Sequence, residues 1–252
     1  MNSENITIQE DYSLPSKGQI YGKAFDPIVK LRSMTVAEEM KRLTATDNPY
    51  KAMSEIIEAC LVTKLPISVY DMCLGDYQYL LHKLRVVTYG PNYTLSVVCP
   101  FCGQIYENTI NLDNLKVNEY DEEINKLLEV KLPVTGKTVR LRLQTPKDLD
   151  NIERKKKEMK KQFPDMKEDP TLLLNLETLV YMVDGQPVNP ATIQNTLKNL
   201  PLKDSMVILQ RGEKINNRIG VDVGLVSKCP NCDREVNSTF RFTSEFFRPE
   251  VD

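Results

Sequence analysis

The 252-residue chain has no tryptophan, a single histidine (His82) and ten glycines, and each shortage removes a class of function. With one histidine, any nucleophile–base pair would have to use His82, and no serine or cysteine stands in a motif that would receive its help. Ten glycines leave little for phosphate-cradling loops, and neither a dinucleotide fingerprint, a phosphate-binding loop nor a nucleophile elbow is present. A basic excess is also missing: 33 Lys and Arg stand against 35 Asp and Glu, for a net charge of −2 and a pI near 5.7. A dedicated nucleic-acid binder carries the opposite balance. No apolar run approaches membrane-spanning length, and the Met1–Thr7 stretch has neither the basic nor the apolar region of a signal peptide. These absences lead us to expect a protein with no enzymatic activity and no membrane segment, folded in a reducing cytoplasm.

What the chain does have is six cysteines, four of them in two matching knuckles, Cys99-Pro-Phe-Cys102-Gly and Cys229-Pro-Asn-Cys232-Asp. Each pair has two residues between its thiols, proline after the first, and strand-like sequence on both sides. A tight turn of this kind aims two thiolates at one metal, and a second such turn completes a tetrahedral four-thiolate site. The spacing therefore predicts one structural Zn2+ shared by Cys99, Cys102, Cys229 and Cys232, stapling together segments separated by residues 103–228. The rivals are two unrelated turn pairs, a redox CxxC, or two zinc ions in dimer-shared sites. A redox site needs only one pair, at the start of a helix. Cys60 and Cys73 lie among apolar neighbours in helix-like sequence and read as small core residues, with a disulfide between them left open.

Periodicity and punctuation give an α+β chain. Residues 1–18 read as an N-terminal arm, polar and extended to about residue 13, then turn-forming. A helical module follows over 19–91. Thr35 with Glu38 is a capping box for a helix near 36–45, and Asn48-Pro49 starts another carrying Met53, Ile56, Ile57 and Cys60. Ser68 and Asp71 repeat the capping pattern before Tyr77, Leu80, Leu81, Leu84 and Val87, whose helix ends near Gly90-Pro91. His82 falls on its more polar side and reads as a surface or capping residue. From residue 92 to 252 we expect a composite zinc-ribbon domain whose two β-hairpins carry the knuckles, interrupted by a helical insertion at about 145–217. A further hairpin joins Val130–Pro133 to Val139–Leu143, and Thr145-Pro146-Lys147-Asp148 caps a long helix that stands out from the body. Leu172–Val183 is apolar enough for a helix or a buried strand. The tail Phe246-Phe247-Arg248-Pro249 is apolar and, like the arm, reads as a partner-binding extension.

Three features together resemble a known family. Leu14-Pro15-Ser16-Lys17-Gly18 followed by Tyr21, the Met34-Thr35-Val36-Ala37-Glu38-Glu39 helix start and the mid-chain Cys-Pro-Phe-Cys-Gly knuckle are similar to the baseplate proteins of T-even-like contractile-tailed bacteriophages. The resemblance implies a structural or assembly component of the central baseplate hub. It implies a location in the virion tail baseplate, other hub or tail proteins as partners, and room for a homo-oligomer within the hub. It implies no catalytic residues; the zinc is argued from spacing alone.

The alternative is a cytosolic zinc-ribbon protein that binds nucleic acid through its knuckles and the basic run Arg154–Lys161. Around the knuckles, Lys228, Arg234, Arg241 and Arg248 are offset by Asp222, Asp233, Glu235, Glu107 and Glu245, and acidic residues bracket the basic run, so a solvated helix face is the better reading. A zinc hydrolase is disfavoured because four thiolates leave no open coordination position.

Overall fold

The computed structural model describes residues 7–165, 167–189, 191–242 and 244–247. The chain runs β1 (Gln9–Ser13), β2 (Ile28–Arg32), α1 (Val36–Arg42), α2 (Pro49–Cys60), α3 (Leu74–Tyr89), β3 (Asn92–Val98), β4 (Ile105–Asn111), β5 (Val117–Asn118), α4 (Glu123–Leu127), β6 (Glu129–Lys131) and β7 (Thr138–Leu141). It continues through α5 (Pro146–Gln162), α6 (Thr171–Leu179), β8 (Val180–Val183), β9 (Gln186–Pro187), α7 (Ile193–Lys198), α8 (Leu202–Asn216), β10 (Gly220–Val221), β11 (Gly224–Lys228) and β12 (Glu235–Thr239). The α+β expectation holds. Every strand pairing is antiparallel: hairpins β1–β2, β3–β4 and β11–β12, the short β5–β10 pair, and one four-stranded sheet in the order β6-β7-β8-β9.

Local signals explain most helix boundaries. Two of the three expected capping patterns open their helices as capping boxes, Thr35 with Glu38 and Thr145 with Asp148, each satisfying donors that the helix itself leaves unpaired, whereas Ser68 caps only a 3-10 turn over Val69–Asp71 and α3 starts at Leu74 behind Cys73. Gly90 stops α3 with φ 85°, a conformation open to glycine at little cost. The apolar run Leu172–Val183 becomes both of its readings in succession, since α6 passes directly into β8 at the β-branched Val180. α2 starts at Pro49, but Asn48 does not cap it with its side chain. Its first amides are taken instead by buried Asp150 of α5, which accepts from Tyr50 N (3.2 Å), Lys51 N (2.9 Å) and the Tyr70 hydroxyl (3.0 Å). Half of α5 is thereby packed on the body, with Pro146, Asp148, Asp150 and Ile152 buried; only its C-terminal half fits the expected projecting helix.

Two large apolar clusters carry the fold. One surrounds α3 and joins Leu14, Val29, Leu31, Ile56 and Ile57 to Leu225, Phe240, Phe246 and Phe247. The other packs α6, α7 and α8 on the four-stranded sheet. The first corrects three expectations. The N-terminal stretch from Gln9 is not an extended arm: β1 pairs with β2, and Leu14, Pro15, Ser16 and Gly18 are buried (residues 1–6 lie outside the described residues). Ser16 donates its amide (2.9 Å) and hydroxyl (2.5 Å) to the buried carboxylate of Asp76, which also accepts from the Tyr21 hydroxyl at 2.6 Å. Gly18 has φ 66°, and a Cβ there would lie 2.3 Å from the Phe25 carbonyl oxygen. The apolar tail is likewise core: Phe246 stacks on Phe240 at 5.9 Å, and buried Arg85 donates to the Phe246 carbonyl at 3.0 Å (Arg248-Pro249 lie outside the described residues).

His82 is the third correction. It is buried rather than exposed, because α3 is enclosed on nearly every side, and its Nε2 meets the Leu112 carbonyl oxygen at 3.0 Å. That carbonyl accepts only, so Nε2 carries the proton. Nδ1 is buried without a partner. Burial, helped by the Lys83 charge, holds the imidazole pKa down to about 4. No helix among the described residues is long and apolar enough to cross a membrane.

Two outcomes follow from this packing. Ser16→Ala removes a donor from a buried carboxylate and should cost about 2 kcal/mol of stability in denaturant unfolding, and deletion of residues 1–18 should abolish cooperative melting. A truncated chain that melts as the full one does would return the segment to the role of a dispensable arm. The single histidine gives one imidazole signal in NMR; its titration midpoint should lie near pH 4, and a midpoint near 6.5 would mean that His82 is solvated.

Candidate metal centre

The two knuckles have the same backbone. In the first, Cys99 N donates to Gln104 O (2.9 Å) and Gly103 N to Cys99 O (3.0 Å); in the second, Cys229 N donates to Arg234 O (3.0 Å) and Asp233 N to Cys229 O (2.9 Å). Both turns close on a left-handed residue, Gly103 at φ 75° and Asp233 at φ 56°, positions that suit glycine and are tolerated by aspartate. The residue after each turn then points its amide at the second sulfur, Gln104 N at Cys102 and Arg234 N at Cys232.

The fold brings all four predicted cysteines together. Their sulfurs lie within 4.8 Å of one another, with Cys99 to Cys232 at 3.7 Å and Cys102 to Cys229 at 3.6 Å. These two pairs cross between the hairpins. Each distance is far beyond a disulfide bond, and all six cysteines are free thiols. A regular tetrahedron of sulfurs at about 2.3 Å from its centre has edges of about 3.8 Å, so the spacing fits a four-thiolate metal site. Cys99 and Cys229 are buried, Cys232 is half-buried and Cys102 is exposed. No other group of three or more such side chains close enough to hold an ion is found among the described residues.

Little else joins the hairpins at this end. The apolar cluster beneath the sulfurs has only Val97 and Val236 as its fully buried non-cysteine members, with Leu95 and Tyr106 packed at its edge. Tyr106 and Ser227 meet hydroxyl to hydroxyl at 2.7 Å, and Arg234 lies over the Phe101 ring at 5.0 Å. The sequence reading did not single out these contacts. Tyr106 could have been found from strand alternation, since it pairs with Val97 on the inner face of β3–β4.

Electrostatics set two of these thiols, Cys102 and Cys232, apart. The Gln104 amide and then the Asn231 side chain hold the Cys102 thiol down to about 6. At Cys232 the Arg234 amide acts in the same direction, but desolvation and the neighbouring thiols Cys229, Cys99 and Cys102 outweigh it and push that group up to about 12. One negative charge is accommodated easily and further ones repel, a repulsion that a central cation would relieve. Cys60 and Cys73 lie elsewhere, with burial raising them to about 11 and about 12.

An α+β chain of antiparallel hairpins tied by a four-cysteine cluster able to hold a metal ion is the class that fold and site define. The model of the T4 bacteriophage base plate protein family matches residues 6–248, and the chain belongs to that family. Comparisons with curated proteins and with solved structures gave no match.

In metal-free protein at neutral pH, iodoacetamide should label Cys102 first, because it is exposed and its thiol is held down by the Gln104 amide and the Asn231 side chain. Cys60 and Cys73 should react only on unfolding. Equal labelling of all six cysteines in the folded chain, read by peptide mass spectrometry, would contradict this ordering.

Proposed function

We propose that the protein is a non-enzymatic structural or assembly component of the phage baseplate hub, and that Cys99, Cys102, Cys229 and Cys232 bind one structural zinc ion. The observation that carries the zinc reading is the gathering of four thiols, all within 4.8 Å of one another, from two hairpins far apart in sequence. Thiolate sulfur is the donor type that zinc takes in closed structural sites, and a full set of four leaves no position for water or substrate. A site that exists only in the folded chain converts metal affinity into folding free energy, on the order of 10 kcal/mol. Isolated two-stranded hairpins are marginal in water, and the small apolar cluster beneath the sulfurs makes that contribution important at this end of β3–β4 and β11–β12.

Membership of the baseplate family supports the structural role. The hub assignment is the finer part of the proposal, with the virion tail baseplate as its location, other hub or tail proteins as partners and self-association within the hub as a compatible arrangement. The residues around the knuckles do not favour nucleic acid as a partner. Lys228, Arg234 and Arg241 are exposed among exposed Asp222, Asp233, Glu235 and Glu107. The basic run of α5 is partly neutralised by Arg154–Glu158 (2.8 Å), Lys155–Glu177 (2.5 Å) and Lys157–Asp47 (2.8 Å).

Elemental analysis of the purified protein should give about one zinc per chain, and Cys99→Ser or Cys229→Ser should release the metal and lead to unfolding or aggregation. Parental stability in either variant, with no metal bound, would refute the zinc assignment. For the hub assignment, a phage lacking the gene should accumulate tail intermediates arrested at the hub or baseplate stage; normal tails would refute it.

A further inference from the structure

A cleft of about 400 Å³ draws its walls from both large apolar clusters, Tyr21 packing with the first and Leu128, Leu141 and Leu143 with the second. None of the four knuckle cysteines lines it. Its walls are held in place by the fold. The Tyr21 hydroxyl donates to Asp76 at 2.6 Å. Arg142 makes two bonds to Asp148, at 2.6 and 2.7 Å, and one to the Leu143 carbonyl at 3.2 Å. Tyr120 N donates to the Pro15 carbonyl at 2.8 Å, and Leu141 N to that of Leu128 at 2.6 Å. A cleft fixed in this way loses little freedom when it is filled.

Charge sets this cleft apart. Arg140 and Arg142 stand two residues apart at the end of β7, so their side chains fall on the same side, and both line the cleft. Arg142 is satisfied by Asp148. The exposed side chain of Arg140 has no ion-pair or hydrogen-bond partner among the described residues. Glu129 stands directly across from it on β6 and is not paired with it. Asp71, the one carboxylate lining the cleft among the described residues, is taken by Lys147 at 3.0 Å. Lys160 and Lys167 also lie without ion-pair partners in a cleft, but Glu153, Glu168 and Asp169 line that one beside them. The Arg140 cleft is left with one uncompensated guanidinium among apolar Ile20, Leu128 and Leu143, with Tyr181, 49% exposed, also lining it.

We propose that this cleft binds an acidic side chain, glutamate or aspartate, presented by a segment of a partner protein. The carboxylate pairs with Arg140, and the apolar residues beside it in the partner rest on Ile20, Leu128 and Leu143. A guanidinium offers two parallel N–H donors that match a carboxylate. One spare positive charge balances one carboxylate. A phosphate dianion would stay half-compensated beside apolar walls, which is a costly placement. Tyr181 adds a large contact area with a polar tip, a common anchor where proteins meet. The inference depends on neither the zinc nor the hub assignment.

The test titrates the full-length protein with the capped tripeptide acetyl-Leu-Glu-Leu-amide and follows the Arg140 Nε–Hε signal by NMR. The glutamyl peptide should shift that signal, and acetyl-Leu-Gln-Leu-amide should bind at least about tenfold more weakly. Arg140→Gln should melt as the parent does, because the side chain is exposed and unpaired, and should lose about tenfold or more in affinity. Lys51→Gln, which removes an exposed cation elsewhere, should bind as the parent does. The two peptides on the parent chain decide the matter even where Arg140→Gln fails to fold. No shift of the Arg140 signal at about 10 mM peptide would overturn the inference, as would equal affinity for the two peptides. Binding that survives Arg140→Gln would overturn it too. So would inorganic phosphate that binds more tightly than the glutamyl peptide, which would make the cleft a general anion site.

Discussion

The contact on which one end of the molecule depends is the crossing of four thiols between two β-hairpins. β3–β4 and β11–β12 share no strand pairing, and beneath the sulfurs the buried layer between them is two valines and two thiols, with the main apolar core joining them only farther along at Leu225 and Phe240. With sulfurs at 3.6 and 3.7 Å, backbone and side-chain donors hold the Cys102 thiol down while desolvation and the neighbouring thiols push Cys232 up, so the group resists taking on several thiolate charges together. A cation at the centre turns the same crowding into attraction, and the proposed zinc closes the long loop of residues 103–228 over a small buried cluster. A component of an assembly that must hold its shape gains from such a closure without any reactive chemistry.

Away from that junction, long-range order relies on a repeated device: a buried carboxylate accepting backbone amides from a distant segment. Asp76 fixes Ser16, Asp150 caps the start of α2, and Asp204 of α8 holds the Val134-Thr135 turn through amides at 2.9 and 3.0 Å. A carboxylate offers several acceptor sites, so one side chain can satisfy two or three donors that a turn or helix start would otherwise bury unpaired. Such a key costs desolvation: fully buried Asp76 has its pKa raised by burial against the pull of its donors. The arrangement locks loops in register but makes them intolerant of losing the carboxylate or its donors.

How much of this was legible in the sequence depended on how local the cause was. The two capping boxes, the Gly90 stop, the knuckle hairpins and the four cysteines all follow from residues a few positions apart, and the structure brings them where the spacing indicated. The misreadings share a different cause. Leu14–Gly18 looks like a free turn because its partners, Asp76 and Phe25, lie outside any local pattern. Phe246-Phe247 reads as a loose tail until Arg85 and Phe240 are placed around it. His82 sits on the polar side of a helix that proves to be enclosed by Leu112 and its neighbours. In α1, Val36, Met40 and Leu43 are exposed although they have the spacing of an ordinary core-facing helix; only the buried Arg32–Glu38 pair reveals which face turns inward. Metal identity was not readable from geometry alone, since spacing defines donors and their tetrahedron rather than the ion.

X-ray absorption on the metal-loaded full-length protein tests the central claim most directly. The account predicts a zinc edge with a single shell of four sulfurs at about 2.3 Å and no lighter ligand. A shell containing nitrogen or oxygen, a short metal–metal distance, or a chain that retains no metal at all would contradict it.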